Sequence, residues 1–214
     1  MSPEEVEKCF VLLDIYVAKT DYPLLDVRRP ELPLAVFQLI FKLYNTTFPA
    51  LEDLRTLARQ HPFRFSSPNL VQYVTPETIT AWERKVLTVL NYDLLTVCAW
   101  DFMLVLRAAF PPPWLTSPRK DCLEICLSRV SAIFTRREVP ASVVCAFVIH
   151  TVATKLMVPP RTLWDLPFVP QEFKNRMLPF REHIEGMYAE IPLYALLDNL
   201  FTQAFQMIYV SHQG

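Results

Sequence analysis

Cysteine and histidine bring the strongest ligand and nucleophile chemistry to this chain. Cys122 and Cys126 stand four residues apart, a spacing that puts both thiols on one face of a helix. A metal site there needs two further ligands nearby, and since none is evident we expect the thiols to pack in a helical core. The five cysteines are odd in number and dispersed, at positions 9, 98, 122, 126 and 145. This pattern predicts buried free thiols, which are typical of an intracellular protein.

The four histidines, at positions 61, 150, 183 and 212, stand in unrelated contexts. His150 lies within the helical stretch FVIHTVATKL, where we expect a hydrogen-bonded core or boundary residue rather than a base or a ligand. No set of serine, histidine and aspartate indicates a nucleophile. Glycine occurs only as Gly186 and Gly214, whereas phosphate-binding loops need several glycines. We therefore expect no catalytic activity, no bound cofactor and no metal ion.

Charge and hydropathy exclude two further classes of function. The chain has 21 basic and 22 acidic residues and no basic stripe, so we expect no nucleic-acid partner. Hydrophobic residues make up 52% of the chain, enough to form a core. Pro140, His150 and Lys155 interrupt the longest apolar stretch, so we expect no membrane partner. The acidic start MSPEEVEK does not have the pattern of a signal peptide.

Apolar residues recur at helical spacing in almost every segment, which predicts an all-α fold. Ser2 and Thr75 are expected N-caps, each followed by a proline at the first helical position. We expect Glu83 to point outward from its helix, together with Arg84 and Lys85. The predicted apolar faces are Val6, Phe10, Leu13 and Val17; Leu32, Val36, Leu39 and Leu43; and Ile79, Trp82, Val86 and Val89. Further helices are predicted over 51–60, 99–110, 117–136, 141–157, 170–188 and 193–210.

The two halves of the chain show a similar pattern. RRPELPLAVFQLIFK, which ends in Lys42, and REVPASVVCAFVIHTVATK, which ends in Lys155, both place prolines before a strongly apolar helix. Duplicated helical units would explain the similarity, although any two buried helices could show it. Between the halves, TAWERKVLTVLNYDLLTVCAWDF predicts a helix, a short polar step and a second helix.

The ordered set of these segments resembles the cyclins. ETITAWERKVLTVLNYDLLTVCAWDFML is similar to the last helix of a first cyclin box and the start of a second. EEVEKCFVLLDIYVAKT and PLAVFQLIFKLYNTTFPALEDL are similar to the second and third helices of the first box. VPASVVCAFVIHTVATKL and VPPRTLWDLPFVPQEFKNRMLPFREHIEGMY resemble later parts of the second box. The resemblance covers roughly residues 3 to 190.

The resemblance implies tandem cyclin-box domains, the first over residues 1–95 and the second over 96–214. The sequence contains no equivalent of the family helix that precedes residue 3. We therefore expect either an N-terminally shortened form or an incomplete first box whose vacated groove is filled by something else. Cyclins are non-catalytic subunits that form heterodimers with cyclin-dependent serine/threonine protein kinases and activate them in cell-cycle control. This chain is accordingly expected in the nucleus and cytoplasm, with ATP and metal bound by the kinase.

The same resemblance suggests which residues bind the kinase. Arg28, with Arg29 beside it, falls where the family has a lysine, and arginine keeps the charge but not the geometry. Asn45 replaces a family glutamate, and it is either a weakened kinase contact or an ordinary residue at a helix end. Val71 and Tyr73 align with apolar contact positions, although they could equally belong to the core. The full predicted set is Arg28, Arg29, Lys42, Asn45, Val71 and Tyr73.

Other interpretations remain open at this point. Asn45 and the missing helix also fit an orphan cyclin-fold adaptor or scaffold that binds partners without activating a kinase. The same fold in general transcription factors binds promoter DNA, but the neutral charge balance argues against that role. Phe63, Arg64 and Phe65 in the long connection 55–70 are either an anchor for a partner or a loop that packs on its own domain.

Overall fold

The computed structural model describes residues 2–20, 31–45, 50, 52–53, 56, 74–116, 118–134, 139–191 and 194–211. Regular structure within these ranges is helical and contains no strand, so the all-α prediction is confirmed. The chain forms two compact units, Met1–Val97 and Cys98–Gly214. The predicted domain boundary lay between residues 95 and 96. That either unit is a cyclin box stays a prediction, and most of the helix predicted over 51–60 lies outside the described residues.

The described part of the first unit is built around one central helix. Its long helices are α1 (Pro3–Thr20), α2 (Glu31–Tyr44) and α3 (Pro76–Val89). α2 packs against both α1 and α3. Leu32, Leu34 and Ile40 are all fully buried although they point in different directions around the helix axis. Leu43, which was predicted to share the apolar face, is exposed because it lies in the last turn.

Both predicted N-terminal caps of this unit are formed. The Ser2 hydroxyl accepts from the Glu5 backbone N–H at 3.2 Å, and Glu5 Oε2 accepts from the Ser2 backbone N–H at 2.8 Å. Thr75 and Thr78 make the same reciprocal pair at 3.3 and 3.0 Å. Each pair satisfies N–H groups that have no partner within the helix, and this fixes where α1 and α3 begin.

The buried faces of α1 and α3 differ from the predicted ones. On α1, Cys9, Leu12 and Tyr16 are fully buried, whereas the predicted face, one residue farther along, is half-buried. On α3, Glu83 is buried, so its predicted outward orientation is wrong. Glu83 follows Ile79 by one turn and therefore lies on the inward face of the helix.

The second unit is also built around one central helix. Its helices are α4 (Ala99–Arg107), α5 (Pro112–Leu115), α6 (Arg119–Phe134), α7 (Ala141–Leu156), α8 (Gln171–Met177), α9 (Arg181–Glu190) and α10 (Tyr194–Ser211), with 3₁₀ turns at Leu163–Asp165 and Leu178–Phe180. α7 packs against α4, α6, α9 and α10 and is buried on most sides. Even so, no helix in the described ranges combines the length and apolar character needed to cross a bilayer.

Proline interrupts one predicted helix and follows the end of another. The helix expected over 170–188 is interrupted by the 3₁₀ turn that contains Pro179, because proline has no N–H to continue the helical hydrogen bonds. The helix expected over 99–110 ends at Arg107, before the triple proline. Pro112 then begins the short α5, a position at which a missing N–H costs little.

Candidate functional site

Two of the predicted kinase-binding residues meet at one end of the central helix of the first unit. Lys42 lies in the last turn of α2, and Asn45 follows directly after it. The others lie outside the described residues, so their expected roles stay predictions; they are Arg28, Arg29, Val71 and Tyr73. The segment Phe63, Arg64 and Phe65 lies outside them too.

Lys42 forms an ion pair with the buried Glu83. Its Nζ donates to Glu83 Oε1 at 2.6 Å and to Oε2 at 2.8 Å. The Glu83 side chain is 8% exposed and that of Lys42 33% exposed. A carboxylate taken out of water needs a charged or hydrogen-bonding partner, and Lys42 supplies it. The pair therefore ties the end of α2 to the middle of α3.

Asn45 joins the same end of α2 to the first turn of α1. Its Nδ2 donates to Glu5 Oε1 at 3.0 Å and to the Phe41 carbonyl oxygen at 3.3 Å. Glu5 uses its other carboxylate oxygen for the cap on Ser2. One carboxylate therefore orders both the start of α1 and the end of α2.

A third contact completes this polar end of the unit. Lys8, which is almost fully buried, donates from Nζ to Glu4 Oε1 at 2.7 Å and to the Tyr44 hydroxyl at 3.1 Å. The same Nζ lies 4.5 Å from the centroid of the Tyr44 ring. We call the whole set the α2-end cluster; it consists of Glu4, Glu5, Lys8, Lys42, Tyr44, Asn45 and Glu83.

The α2-end cluster has a fixed interior and an exposed outer part. Its lysines and glutamates hold one another, so their side chains are already ordered. Tyr44 is 41% exposed and the neighbouring Leu43 is 44% exposed. Tyrosine is enriched among the residues that dominate protein–protein contacts. The exposed Tyr44 is therefore the residue of this cluster to test for contact with another protein.

The second unit repeats the lysine–carboxylate arrangement. Lys155, at the end of the central helix α7, donates from Nζ to Asp198 Oδ1 on α10 at 3.1 Å. The Tyr188 hydroxyl donates to the same oxygen at 2.6 Å. Burial raises the pKa of Tyr188, and its bond to Asp198 raises it further. The hydrogen bonds from Tyr188 and Lys155 hold the pKa of Asp198 below its usual value.

The two units share one contact that parallels the similar pattern of their sequences. In each unit the buried central helix carries a lysine in its last turn, and that lysine binds a carboxylate from a later helix. The pairs are Lys42 with Glu83 and Lys155 with Asp198. Duplicated units would share such a contact, and any two buried helices with a lysine in the last turn could also form it.

His150 is the hydrogen-bonded boundary residue that its sequence context predicts. Its Nδ1 accepts from the Leu163 backbone N–H at 3.4 Å, so the neutral ring carries its proton on Nε2. Burial lowers the pKa of His150, and the charges of Glu185, Arg181 and Asp165 act on it from nearby. The imidazole therefore supports the 3₁₀ turn at Leu163–Asp165 as a neutral acceptor.

All five cysteines are free and buried, as predicted. Burial raises the pKa of Cys122 to about 11 and that of Cys126 further. Both thiols are therefore protonated at neutral pH, and a thiol reacts as a nucleophile only after it loses its proton. The described residues contain no group of three or more histidine, cysteine or acidic side chains placed to hold a metal ion.

Glu83 is one of five residues of the α2-end cluster that the sequence interpretation missed; the others are Glu4, Glu5, Lys8 and Tyr44. The signal for Glu83 was the spacing of Ile79, Glu83 and Val86, which follows one helix face as closely as the purely apolar set does. Asp198 had no comparable local signal, because its partner Lys155 lies 43 positions earlier.

Comparison of the chain with protein-family models, curated proteins and solved structures finds no match. The expectation of a cyclin fold therefore rests on the sequence segments quoted above.

Proposed function

We propose that this chain is a cyclin-like regulatory subunit that binds and activates a cyclin-dependent serine/threonine protein kinase in cell-cycle control, in the nucleus and cytoplasm. The observation that carries the proposal is a contact that both units contain. Each unit has a buried central helix with a lysine in its last turn, and that lysine binds a carboxylate of a later helix. Tandem helical units of this kind fit the order of segments that resembles the cyclins.

In this proposal the kinase contacts the α2-end cluster. Tyr44 and Leu43 supply exposed contact area, while Lys42 and Asn45 are held in place by Glu83 and Glu5. Ordering a mobile side chain on binding costs roughly 0.5–1.5 kcal/mol, so groups that are already ordered lose less. The cluster thus offers the kinase a preorganised surface.

Activation in this proposal is a shift of population within the kinase. A regulator that binds the active arrangement of the kinase more tightly than the inactive one makes the active arrangement dominant. Moving that equilibrium from 1:99 to 99:1 needs about 5.5 kcal/mol of differential affinity. The chain itself then needs no catalytic group, because ATP and metal are bound by the kinase.

Affinity measurements with a matched pair of tyrosine variants test where the kinase binds. We expect Tyr44→Ala to weaken binding to the cognate kinase by about 2 kcal/mol or more, as truncation of an aromatic anchor does. Tyr209→Ala is the control, because Tyr209 is similarly exposed but lies in the second unit. Equal affinities of both variants and the unaltered chain would count against the α2-end cluster as the contact.

The contacts of Asn45 favour one alternative, a cyclin-fold adaptor that binds partners without activating a kinase. The Asn45 amide is used within the unit, and it offers no charge-assisted hydrogen bond to a partner. Arg28→Ala separates the two functions, since the activator requires this cation and the adaptor does not. Kinase binding that survives Arg28→Ala, with no rise in phosphorylation, would favour the adaptor.

A further inference from the structure

The C-terminal helix α10 is apolar on two sides. One side is buried in the second unit through Leu197, Phe201 and Ala204. This side anchors the helix against the rest of the unit, where it contacts α6, α7 and α9. The other side is exposed and has its own regular pattern.

The exposed side carries four exposed residues and the half-buried Leu200 at spacings of 4, 3, 4 and 3, which average 3.5 residues. That average is the repeat by which one helix packs along another, and a single polar residue within such a stripe sets the register. Leu196, Met207 and Val210 are 48%, 56% and 71% exposed. We call this set the α10 stripe; it consists of Leu196, Leu200, Gln203, Met207 and Val210.

A groove of about 180 Å³ runs beside the first half of the α10 stripe, between α6 and α10. Ile125 and Arg129 of α6 form one wall. The other wall includes Leu196, Leu200 and Gln203. An enclosed cavity of about 150 Å³ is large enough for benzene, so this groove has room for a large apolar side chain.

The charge of the groove comes from Arg129. This guanidinium is exposed and makes no hydrogen bond or ion pair in the part of the chain that the structure describes. Nearby carboxylates are committed elsewhere, since Glu124 pairs with Arg107 and Asp198 binds Lys155 and Tyr188. The groove therefore combines an apolar floor with one unneutralised positive charge.

We propose that the groove between α6 and α10 binds one amphipathic helix of a partner protein. The apolar residues of that helix, at heptad spacing, cover the α10 stripe, and an acidic residue pairs with Arg129. This site lies in the second unit and does not rest on the proposed kinase contact.

Two other occupants fit the surface less well. A second copy of the chain that used the same surface would bring α10 and α6. Asp198 and Glu124 on these helices are already in ion pairs, and Asp121 also interacts within the chain. A membrane surface attracts helices rich in lysine and arginine on their polar face, and α10 contains neither residue type.

The test uses the full chain and a display library of helices about three heptads long, with apolar residues fixed at the two core positions and all others randomised. Enriched helices are then made as labelled peptides, each with a twin in which glutamate and aspartate are replaced by lysine. By fluorescence anisotropy, we expect the unaltered chain to bind the acidic peptide at least about tenfold more tightly than the lysine twin. The Arg129→Glu variant should instead bind the lysine twin more tightly than the acidic peptide. Leu200→Asp should weaken binding by about thirtyfold or more.

Val105→Asp on α4 is the matched control, because Val105 is 75% exposed in the same unit but does not line the groove. Circular dichroism checks that every variant retains its helices. No enrichment over the Leu200→Asp chain, or equal binding of the acidic peptide and its lysine twin, overturns the proposal. So does a dimer, detected by sedimentation, that Leu200→Asp disperses. None of these outcomes depends on whether a kinase binds the first unit.

Discussion

Each of the two lysine–carboxylate pairs joins the last turn of a central helix to a later helix, but the pairs differ in burial. Lys42 contacts both oxygens of Glu83, whose side chain is 8% exposed. Lys155 contacts one oxygen of Asp198, whose side chain is 45% exposed. Exposed ion pairs contribute roughly 0 to 1 kcal/mol to folding stability. Breaking a buried ion pair costs more, because it leaves a buried charge without a partner. We therefore expect the contact to contribute more to the stability of the first unit than to that of the second.

The neighbours of the two carboxylates explain how this difference arises. Glu83 lies in a core face between Ile79 and Val86, where water cannot replace a lost partner. Asp198 remains accessible to water and keeps its hydrogen bond from Tyr188 if Lys155 is removed. Helix packing thus determines which groups meet, while burial determines how much each contact contributes to stability.

The largest effect is expected for Lys42→Met. Because Glu83 would remain buried and unpaired, we expect the free energy of unfolding of the first unit to fall by about 2–4 kcal/mol. This loss is smaller than the largest values for broken buried ion pairs, because Lys42 is partly exposed. Hydrogen exchange of the α2 and α3 amides measures this loss. Lys155→Met is the matched control and should cost the second unit less than about 1 kcal/mol. The reverse order of effects would contradict the comparison.

A double variant sharpens the same comparison. Lys42→Met combined with Glu83→Leu removes the unpaired carboxylate, so most of the stability lost in Lys42→Met should return. The same hydrogen-exchange measurement on α2 and α3 tests this expectation. If the double variant were as unstable as Lys42→Met, the loss would come from packing around Lys42 and not from the charge of Glu83.

In the second unit we expect Tyr188→Phe to cost about 1 kcal/mol, the usual loss for one hydrogen bond. The hydroxyl bond to Asp198 is the contact removed, while the ring remains to pack. Denaturation followed through hydrogen exchange of α9 and α10 measures the effect. A cost smaller than that of Lys155→Met would mean that Lys155, and not Tyr188, holds Asp198.

A smaller, pH-dependent effect is expected from His150. Its pKa is lowered by burial, so the folded unit holds the neutral form and accepts the bond from Leu163. The contribution to stability is present above the unfolded pKa of about 6.5 and is lost as the pH falls through the lower folded pKa. His150→Asn keeps an acceptor but does not titrate. The free energy of unfolding, measured from pH 7.5 to 5, should therefore depend less steeply on pH in this variant than in the unaltered chain. An unchanged pH dependence would contradict the assignment of His150 as a neutral acceptor.

Local signals in the sequence predicted the elements of this fold better than their contacts. The caps at Ser2 and Thr75 were predictable because each lies within three residues of its partner. The predicted buried face of α1 is displaced by one residue from the observed one. The reason is that Cys9 and Tyr16, which are buried, are less obviously apolar than Phe10 and Val17.

The candidate site shows the same limit more clearly. Lys42 and Asn45 were identified from the sequence, but their partners Glu83 and Glu5 were not, because those lie about 40 residues away along the chain. Only the packing of α1, α2 and α3 brings these groups together. Pro179 carried a local signal that was overlooked, since proline inside a predicted helix interrupts its hydrogen bonds.

Peptide phosphorylation by a panel of cyclin-dependent kinases, with and without the full chain, tests the central claim most directly. We predict that at least one kinase gains more than about tenfold in activity. Tyr44→Ala should remove most of that gain and Tyr209→Ala should leave it unchanged. A panel in which no kinase responds to the chain would contradict the claim that it is a kinase activator.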